Sequence, residues 1–397
     1  MQAVVRAPQN DDEWRACFEV TARSFNLAMT EEKEQEFLRG LHRDRSLAVF
    51  VDGDLAAWAQ VRPFGQFFGG RSVPMGGYSP VAAAPEHRGL GLASMATAAH
   101  FPLMRERGEV ISGLYPASTQ LYRKAGFELG GAFTHREFQI RSLHHIQAPG
   151  GLRARRAKVE DLAAIKECYR RFASTQPGWL DRPDVWWDRV LPAPTFNEHH
   201  VYVVGAAGGA IRGYVRYLHV PKQPWGYNVQ VQELCAEEPE VVLALWRLVG
   251  SSSTQAELVK AVSQPESPLL LLLPDQEMTT PNEIRWMTRI VDAPGAIAAR
   301  GFAAAVRVSV EIDLTDAHCD WNQGRWRLTV EDGCGRLERG GSGDVTMSIN
   351  ALATLYTGYA SATTLQQAGL LASPSPEALD GLTAAFSGPT PWCADFY

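Results

Sequence analysis

The chain has 397 residues, of which 45% are hydrophobic, 21% charged and 10% aromatic, a composition that argues against disorder, collagen and coiled coil. Its 38 basic and 44 acidic residues give a net charge of −6, and no basic cluster is visible, which argues against a general nucleic-acid-binding protein. At roughly 100–200 residues per domain, this length predicts two to four domains.

Cysteine spacing and hydropathy indicate the cellular compartment of the protein. The closest two cysteines, Cys319 and Cys334, are fifteen positions apart, so CxxC and zinc-ligand spacings are excluded and we expect reduced, mostly buried thiols. The first residues lack the basic and apolar regions of an export signal. The longest aliphatic run, 269–273, is far too short to cross a bilayer. We therefore expect a cytoplasmic protein without a membrane span.

The first part of the chain is predicted to alternate helices and strands. Trp14, Cys17 and Phe18 have helical spacing, and two apolar runs on either side of Asp52-Gly53-Asp54 indicate a hairpin. The predicted elements are helices over 11–23 and 30–40, strands over 47–51 and 55–61, a Gly-rich interruption over 69–80, a strand over 81–84, a long helix from Leu90 with a kink at Pro102, a strand over 110–115, a helix over 118–124 and further strands to residue 140.

A turn-rich segment, 147–151, is predicted to link this part to a second one with a similar order of elements. The second part has predicted strands over 152–156, 201–204, 211–219, 229–234, 258–262 and 269–273, and helices over 159–172, 185–190 and 240–249. The last hundred residues differ, with strands over 307–314, 326–331 and 345–349 followed by helices around 352–359 and 375–385. They indicate a small α+β unit with an apolar end.

The segment over 81–94 carries the clearest chemical signal. A predicted buried strand runs through a loop containing Gly89 and Gly91 into a helix. The unpaired N–H groups and positive dipole at the first turn of a helix suit an anion, and glycines let a phosphate approach the backbone closely. No Gly-Lys-Ser/Thr follows, and the glycine offsets differ from the dinucleotide fingerprint, so neither a P-loop nor a Rossmann site is indicated.

Two segments together resemble a known enzyme family. The run Arg88-Gly89-Leu90-Gly91-Leu92-Ala93 resembles the pyrophosphate-binding pattern Arg/Gln-x-x-Gly-x-Gly/Ala of the GCN5-related N-acetyltransferases (GNAT), whose co-substrate is acetyl-coenzyme A (acetyl-CoA). Tyr122 follows Arg88 by 34 positions, and residues 121–127 resemble the LYxKxGF segment of that family. Taken alone, a buried tyrosine more often packs in a core, so the spacing of the two segments carries the resemblance.

The order of further segments along the whole chain resembles the Eis (enhanced intracellular survival) family of GNAT enzymes. These segments are 245–250, 290–295, 299–302, 355–358 and the aromatic end, Phe396-Tyr397. The resemblance implies an α+β fold with tandem GNAT-like domains, each a mixed sheet flanked by helices, plus a C-terminal sterol-carrier-protein-like α+β domain. It divides the chain into a catalytic domain (1–146), a degenerate GNAT-like domain (147–288) and a third domain (289–397) whose C-terminus inserts into the active site.

The resemblance also implies the role of each site residue. Tyr122 is the expected general acid, and the C-terminal carboxylate of Tyr397 the expected general base, which would otherwise be a frayed chain end. After its strand over 229–234 the second domain has no glycine, so we expect no pyrophosphate site there. No metal is expected. The residues expected to bind acetyl-CoA are Val81, Ala82 and Ala83 at the acetyl carbonyl, Arg88, Gly89, Leu90, Gly91, Leu92, Ala93 and Ser94 at the pyrophosphate, and Ala117 and Ser118 beside the pantetheine.

The acceptor is less well specified. Family members often have an acid near the terminal aromatic residue and in the first helical hairpin, whereas this chain has Phe396 and the run 24–27 without an acid. We therefore expect a small-molecule amine, with aminoglycosides, and hence antibiotic resistance, as one candidate class. A protein or peptide lysine acetyltransferase and a non-catalytic acyl-CoA- or lipid-binding protein stay open as alternatives. The resemblance further implies a homo-oligomer, a hexamer.

Overall fold

The computed structural model describes residues 2–148, 150–191, 199–206, 208–274 and 278–397. The predicted linker over 147–151 contains Pro149, which lies outside the described residues. Within the described residues, thirteen strands form one mixed sheet and five form a second sheet. None of the helices in these ranges combines the length and the apolar character that crossing a bilayer requires.

The first part of the chain supplies six strands and five helices to the larger sheet and its faces. They are β1 (Ala3–Arg6), α1 (Asp11–Phe25), α2 (Glu31–Arg39), β2 (Ser46–Val51), β3 (Asp54–Phe68), β4 (Arg71–Ala83), α3 (Leu92–Ala98), α4 (His100–Glu106), β5 (Ile111–Leu114), α5 (Thr119–Lys124) and β6 (Glu128–Gln139).

The second part continues the same sheet. Its described elements are β7 (Leu152–Arg156), α6 (Leu162–Ser174), β8 (Leu180–Asp181), α7 (Asp184–Val190), β9 (His200–Ala206), β10 (Ile211–Pro221), β11 (Tyr227–Ala236), α8 (Pro239–Gly250), β12 (Ala256–Val262), α9 (Leu269–Leu272) and β13 (Thr279–Ile290).

The third part forms the smaller sheet, in the strand order β16-β15-β14-β17-β18. Its elements are α10 (Ala293–Ala299), β14 (Val308–Thr315), β15 (Gly324–Glu331), β16 (Cys334–Arg339), β17 (Val345–Ser348), α11 (Ile349–Thr357), α12 (Ala362–Gln367), β18 (Leu371–Ala372) and α13 (Pro376–Phe386).

The strands of the larger sheet do not follow chain order. The sheet runs β1-β2-β3-β4-β5-β13-β6-β12-β11-β10-β9-β7, with β8 beside β3. Strand β13, from the end of the second part, lies antiparallel between β5 and β6 of the first, and β6 in turn pairs with β12. The two parts therefore share one hydrogen-bonded sheet. The domain boundaries predicted at 146/147 and 288/289 remain predictions about how the chain is divided along its length.

Three local predictions were wrong. The glycines over 69–80 do not interrupt a strand, because β4 runs from Arg71 to Ala83. Within residues 269–273, Leu269–Leu272 form the short helix α9 instead of a strand, consistent with the high helix propensity of leucine, which is not branched at Cβ. The helix after Leu90 breaks at Ala99 and not at Pro102, since Pro102 lies in the first turn of α4, where its missing N–H is not needed.

A fully buried ion pair connects the larger sheet to the third part. The Arg289 guanidinium, on β13, donates to both Asp316 carboxylate oxygens at 2.7 and 2.8 Å, and neither side chain is exposed. Asp316 also accepts from Asn322 at 2.9 Å and from two backbone N–H groups. Removing one partner of a buried pair leaves the other charge uncompensated, which costs much more than losing an exposed pair.

Replacing Asp316 with alanine is therefore expected to lower the free energy of unfolding by about 3–5 kcal/mol. Chemical denaturation followed by tryptophan fluorescence measures the change. The matched control is Arg307→Ala, which breaks the exposed Arg307–Asp332 pair and is expected to cost about 1 kcal/mol or less. Equal losses for the two variants would contradict a stabilising role of the buried pair.

Candidate active site

The site is built where two central parallel strands separate. Strands β4 and β5 pair only over Met75–Gly77 and Ile111–Gly113. Beyond Gly77, β4 continues to Ala83 with β3 on one side, while no strand in the described ranges pairs with its other edge. Backbone groups along this edge that no side chain already bonds can bind a ligand, because such groups need a partner when they are shielded from water. Val81, Ala82 and Ala83 lie on this edge.

The glycine loop follows β4 directly. Gly89 and Gly91 have φ of +80° and +76°, a backbone conformation that glycine adopts without strain. No atom lies within 4 Å of where a Cβ would stand at either glycine. Glycine is therefore favoured here by the positive φ of the backbone and not by a lack of space for a side chain. Helix α3 starts at Leu92 after Gly91 and lacks a side-chain cap, which leaves its first N–H groups available. Arg88 and Leu90 are exposed, whereas Ala93 and Ser94 are half-buried.

Tyr122 lies on α5, on the face of the sheet that α3 and α4 cover. Its ring packs 5.8 Å from that of Phe127, in a buried cluster that also contains Tyr78 and Leu114. Burial raises the pKa of the Tyr122 hydroxyl to about 12, so this group stays protonated over the physiological pH range. Ala117 and Ser118 are exposed and immediately precede α5.

The last residue of the chain lies at the point where the strands separate. The Tyr397 ring packs 5.2 Å from Phe64. A Cβ at Gly77 would stand 3.0 Å from Cε2 of Tyr397, and one at Gly113 would stand 2.5 Å from its hydroxyl. These two glycines are therefore needed for close approach, since a side chain at either position would collide with the terminal ring.

Tyr122 and Tyr397 lie on opposite faces of the sheet. A Cβ at Gly76 would contact Met104, whose cluster contains Tyr122, whereas the neighbouring Gly77 faces Tyr397. Successive residues of a strand point to opposite faces, so the two tyrosines lie on different sides of β4.

The residues before Tyr397 anchor the tail. Trp392 and Cys393 form a short parallel bridge with β6, in which Cys393 N donates to Ala132 O at 3.0 Å. Trp392 N donates to Pro177 O at 3.0 Å, and the Tyr115 hydroxyl donates to Asp395 O at 2.6 Å. Tyr397 is buried by these contacts, whereas Phe396 is 52% exposed.

Asp395 contributes the strongest anchor. Its carboxylate accepts from Arg182 Nε at 3.0 Å and from Trp186 Nε1 at 2.8 Å. Arg182 also donates to Glu233, which accepts from the Tyr214 hydroxyl as well. Burial opposes the charge of Arg182, but the charges of Asp395 and Glu233 outweigh it and raise the pKa of the guanidinium. The ion pairs thus keep the tail and the second part of the chain together.

The sequence prediction did not find Arg182, Trp186 and Glu233. Their only signal was indirect: Asp395 is an isolated acid in an apolar tail, and such an acid needs a buried partner once the tail docks. In the second part, β11 and β12 are parallel over 227–231, and the turn after β11 carries Glu237 and Glu238 without a glycine. Glu238 and Glu240 form ion pairs with Arg212. Acids at this turn disfavour a phosphate.

Within the described residues, no group of three or more His, Cys, Asp or Glu is arranged to bind a metal ion. His100, at the start of α4, is buried, and its Nδ1 shares a hydrogen bond of 2.8 Å with Ala96 O. Burial lowers its pKa to about 4, so its ring is neutral at physiological pH. All six cysteines are unpaired, and only Cys334 is exposed.

Comparison with known proteins places this geometry in context. Residues 5–130 and 178–290 each match a family model described as an acetyltransferase (GNAT) domain, and residues 293–394 match a sterol carrier protein domain. An uncharacterized N-acetyltransferase of Streptomyces avermitilis is 30% identical over 99% of both chains. N-acetyltransferase Eis of Mycobacterium tuberculosis is 29% identical over 80% of this chain and 79% of its own. The crystal structure of a GCN5-related N-acetyltransferase from Kribbella flavida, 31% identical, superposes with a TM-score of 0.88 over 100% of this chain and 98% of that one.

Replacing Asp395 with alanine is expected to release the tail, because Arg182 and Trp186 lose their partner at the chain end. Removal of Tyr397 by a carboxypeptidase, followed by mass spectrometry, should accelerate by about tenfold or more. Asp380→Ala, which changes an exposed acid on α13, is the control and should leave the rate unchanged. A tail equally protected in both variants would show that Asp395 does not anchor it.

Proposed function

This chain belongs to the Eis family of GNAT N-acetyltransferases, and we propose that it acetylates the amine of a small molecule with Tyr122 as general acid and the Tyr397 carboxylate as general base. The observation that carries the proposal is that the two tyrosines lie on opposite faces of the sheet, with the Tyr397 ring against Gly77 and Gly113, the last positions at which β4 and β5 pair. The GNAT fold implies acetyl-CoA as the co-substrate.

The residues around the gap fit acetyl-CoA. The free edge of β4 offers backbone N–H groups of Val81, Ala82 and Ala83 to a thioester carbonyl oxygen. The uncapped start of α3 and the loop Arg88–Ser94 offer N–H groups to a pyrophosphate. Ala117 and Ser118 would line the pantetheine. Acetyl-CoA, when bound, supplies an acetyl group activated as a thioester.

The proposal assigns proton transfer to two groups of the chain, the Tyr397 carboxylate and the Tyr122 hydroxyl. A primary amine has an ordinary pKa near 10, so a base must remove its proton before it can attack. An exposed α-carboxyl titrates near 3.5 and is a weak base, and burial beside aromatic rings would strengthen it. On the other face, the Tyr122 hydroxyl keeps its proton and donates it toward the leaving sulfur.

An apolar rim favours an acceptor less cationic than an aminoglycoside. Ser24, at the end of α1, donates to Ala83 O at 3.1 Å, which brings the α1–α2 loop to the end of β4. Phe25, Leu27 and Met29 on this loop are about half exposed, as is Phe396 on the tail. Exposed apolar residues near a site indicate contact with an apolar ligand. We therefore favour an amine with an apolar group.

The other functions receive less support. The third part has a buried Arg300 whose guanidinium lies 4.8–5.0 Å from the ring centres of Phe302, Tyr356 and Phe386. A buried charge at this position disfavours a lipid-carrying cavity. The homohexamer and the cytoplasmic location implied by the resemblance remain part of the proposal. A small-molecule acceptor is likewise proposed in preference to a lysine peptide. Thiol release from acetyl-CoA with arylalkylamines, kanamycin-type sugars and lysine peptides distinguishes the acceptors.

Extending the chain by two glycines after Tyr397 is expected to lower kcat by about 10²–10⁴, because the terminal carboxylate moves away from the amine. Thiol release with the best amine of the panel measures the effect. The control places the same two glycines after Met1, at the opposite end of the chain. An unchanged kcat in the extended enzyme would rule out the terminal base.

Tyr122→Phe removes the hydroxyl and keeps the packing against Phe127. We expect kcat to fall by about 10²–10⁴ while the Kd for acetyl-CoA changes less than about twofold, because the hydroxyl acts on the leaving sulfur. Stopped-flow turnover and calorimetry measure the two quantities. Tyr78→Phe is the matched control, since the Tyr78 hydroxyl donates to Thr97 O at 2.6 Å and lies in the same cluster. A full rate in Tyr122→Phe would exclude the acid role.

A further inference from the structure

Arg62 stands on the same face of the sheet as the terminal ring. In the register of β3 and β4 it is directly opposite Gly77, the glycine that faces Tyr397. Side chains of directly opposed residues point to the same face, and so do those of Arg62 and Phe64, which are two positions apart. Arg62 therefore lies two positions before Phe64 on the same face, which is the face of the Tyr397 ring and is opposite to that of Tyr122.

The Arg62 guanidinium has no partner. No hydrogen bond or ion pair joins it to any residue in the described ranges, and its Nε is buried without an acceptor. Burial, and then the charge of Arg189, lower its pKa. Arginine remains protonated in proteins, so this half-buried cation lacks a counter-charge. Leaving such a group unpaired is costly, and natural sites usually supply an anion.

The charges around Arg62 are mostly positive. Arg189, on α7, packs 4.7 Å from the Trp186 ring and faces the same region. His42 has a lowered pKa, caused first by burial and then by Arg62 and Arg45. Glu36, on which the charge of Arg189 also acts, pairs with Lys33, whereas the charge of Asp44 acts on His42 in the opposite sense to that of Arg62. Neither Arg62 nor Arg189 has an acid partner within the described residues, so the region favours an anion.

On its face of β3, Arg62 lies between two residues, Trp58 and Phe64, that other parts of the chain cover. Trp58, four positions before it on the same face, is buried under α1 and α2. Phe64, two positions after it, is covered by Tyr397 and Trp186. The residue between Trp58 and Arg62, Gln60, is satisfied by His42 N and Ser79 O.

We propose that Arg62 binds an anionic group of the acceptor, a carboxylate or a phosphate, and thereby selects amines that carry an apolar body and a negative charge. The inference rests on the proposed acetyl transfer and assigns the substrate class of that site. A guanidinium forms paired, charge-assisted hydrogen bonds with either anion. It also repels polycationic amines, which is consistent with the absence of acids from the apolar rim.

The test compares acceptors that differ only in the anion. Phenethylamine is the neutral reference, 4-(2-aminoethyl)benzoate adds a carboxylate, and tyramine phosphate adds a phosphate. We expect kcat/KM of the wild-type enzyme to be about tenfold or more higher for at least one anionic amine than for phenethylamine. The ratio of kcat/KM for each anionic amine to that for phenethylamine is compared, and the larger ratio shows whether the site prefers a carboxylate or a phosphate.

Arg62→Gln is expected to reduce this ratio by about tenfold or more. Arg62→Lys should retain part of it, because lysine keeps the charge without the planar pair of donors. Arg39→Gln, which removes an exposed arginine of α2, has the same net charge and should keep the wild-type ratio. Equal kcat/KM for neutral and anionic amines, or an equal fall for both in Arg62→Gln, would overturn the inference while leaving the acetyl transfer intact.

A second measurement decides the inference if no amine in the panel releases thiol, a result that would contradict the proposed function itself. Calorimetry of the protein saturated with CoA then titrates phenylacetate and phenyl phosphate directly. Binding of either anion by the wild type that is lost in Arg62→Gln supports the anion site. No binding of either anion, or equal binding by the Arg62→Gln protein, overturns it.

Discussion

The separation of β4 from β5 beyond Gly77 and Gly113 is the constraint on which the rest of the site depends. Parallel strands that stay paired leave neither free backbone groups nor a passage between the two faces of a sheet. Here pairing ends after three positions, so the edge of β4 beyond Gly77 has no strand partner within the described residues, and Tyr122 and Tyr397 lie on opposite faces of this sheet. The missing side chains of both glycines allow the Tyr397 ring to close against that point.

The second and third parts of the chain explain how the tail that carries Tyr397 stays docked. Ordering one residue costs roughly 1–2 kcal/mol of backbone entropy, and free chain ends usually fray for this reason. Arg182 offsets that cost, because its buried charge would lose one of two counter-charges if Asp395 left. The second part of the chain has no glycine loop for a phosphate, but through Arg182 it holds the tail in place. Strand β13 adds to this by joining the two parts in one sheet.

The sequence predicts well what is encoded locally. The loop from Arg88 to Ala93 and the short helix of Tyr122 were placed correctly, since turn glycines and helical spacing act within a few residues. The glycines of β4 were misread, because a glycine indicates either a turn or a close approach, and only the distant Tyr397 ring decides which. Asp395 and Arg182 are 213 positions apart, and no spacing pattern connects them. Arg62 looks like an ordinary polar residue of an alternating strand until its missing partner is seen.

The proposed anion site and the proposed terminal base would act in the same direction on the choice of substrate. Arg62 and the Tyr397 ring lie on one face of the sheet, and the Arg62 guanidinium has no counter-charge among the described residues. An acceptor that brings an anion to Arg62 would supply that counter-charge, whereas a polycationic acceptor would add a like charge. Discrimination between amines would then arise from binding, and any part of it that persists at a saturating acceptor concentration would show that the anion also positions the amine for the chemical step.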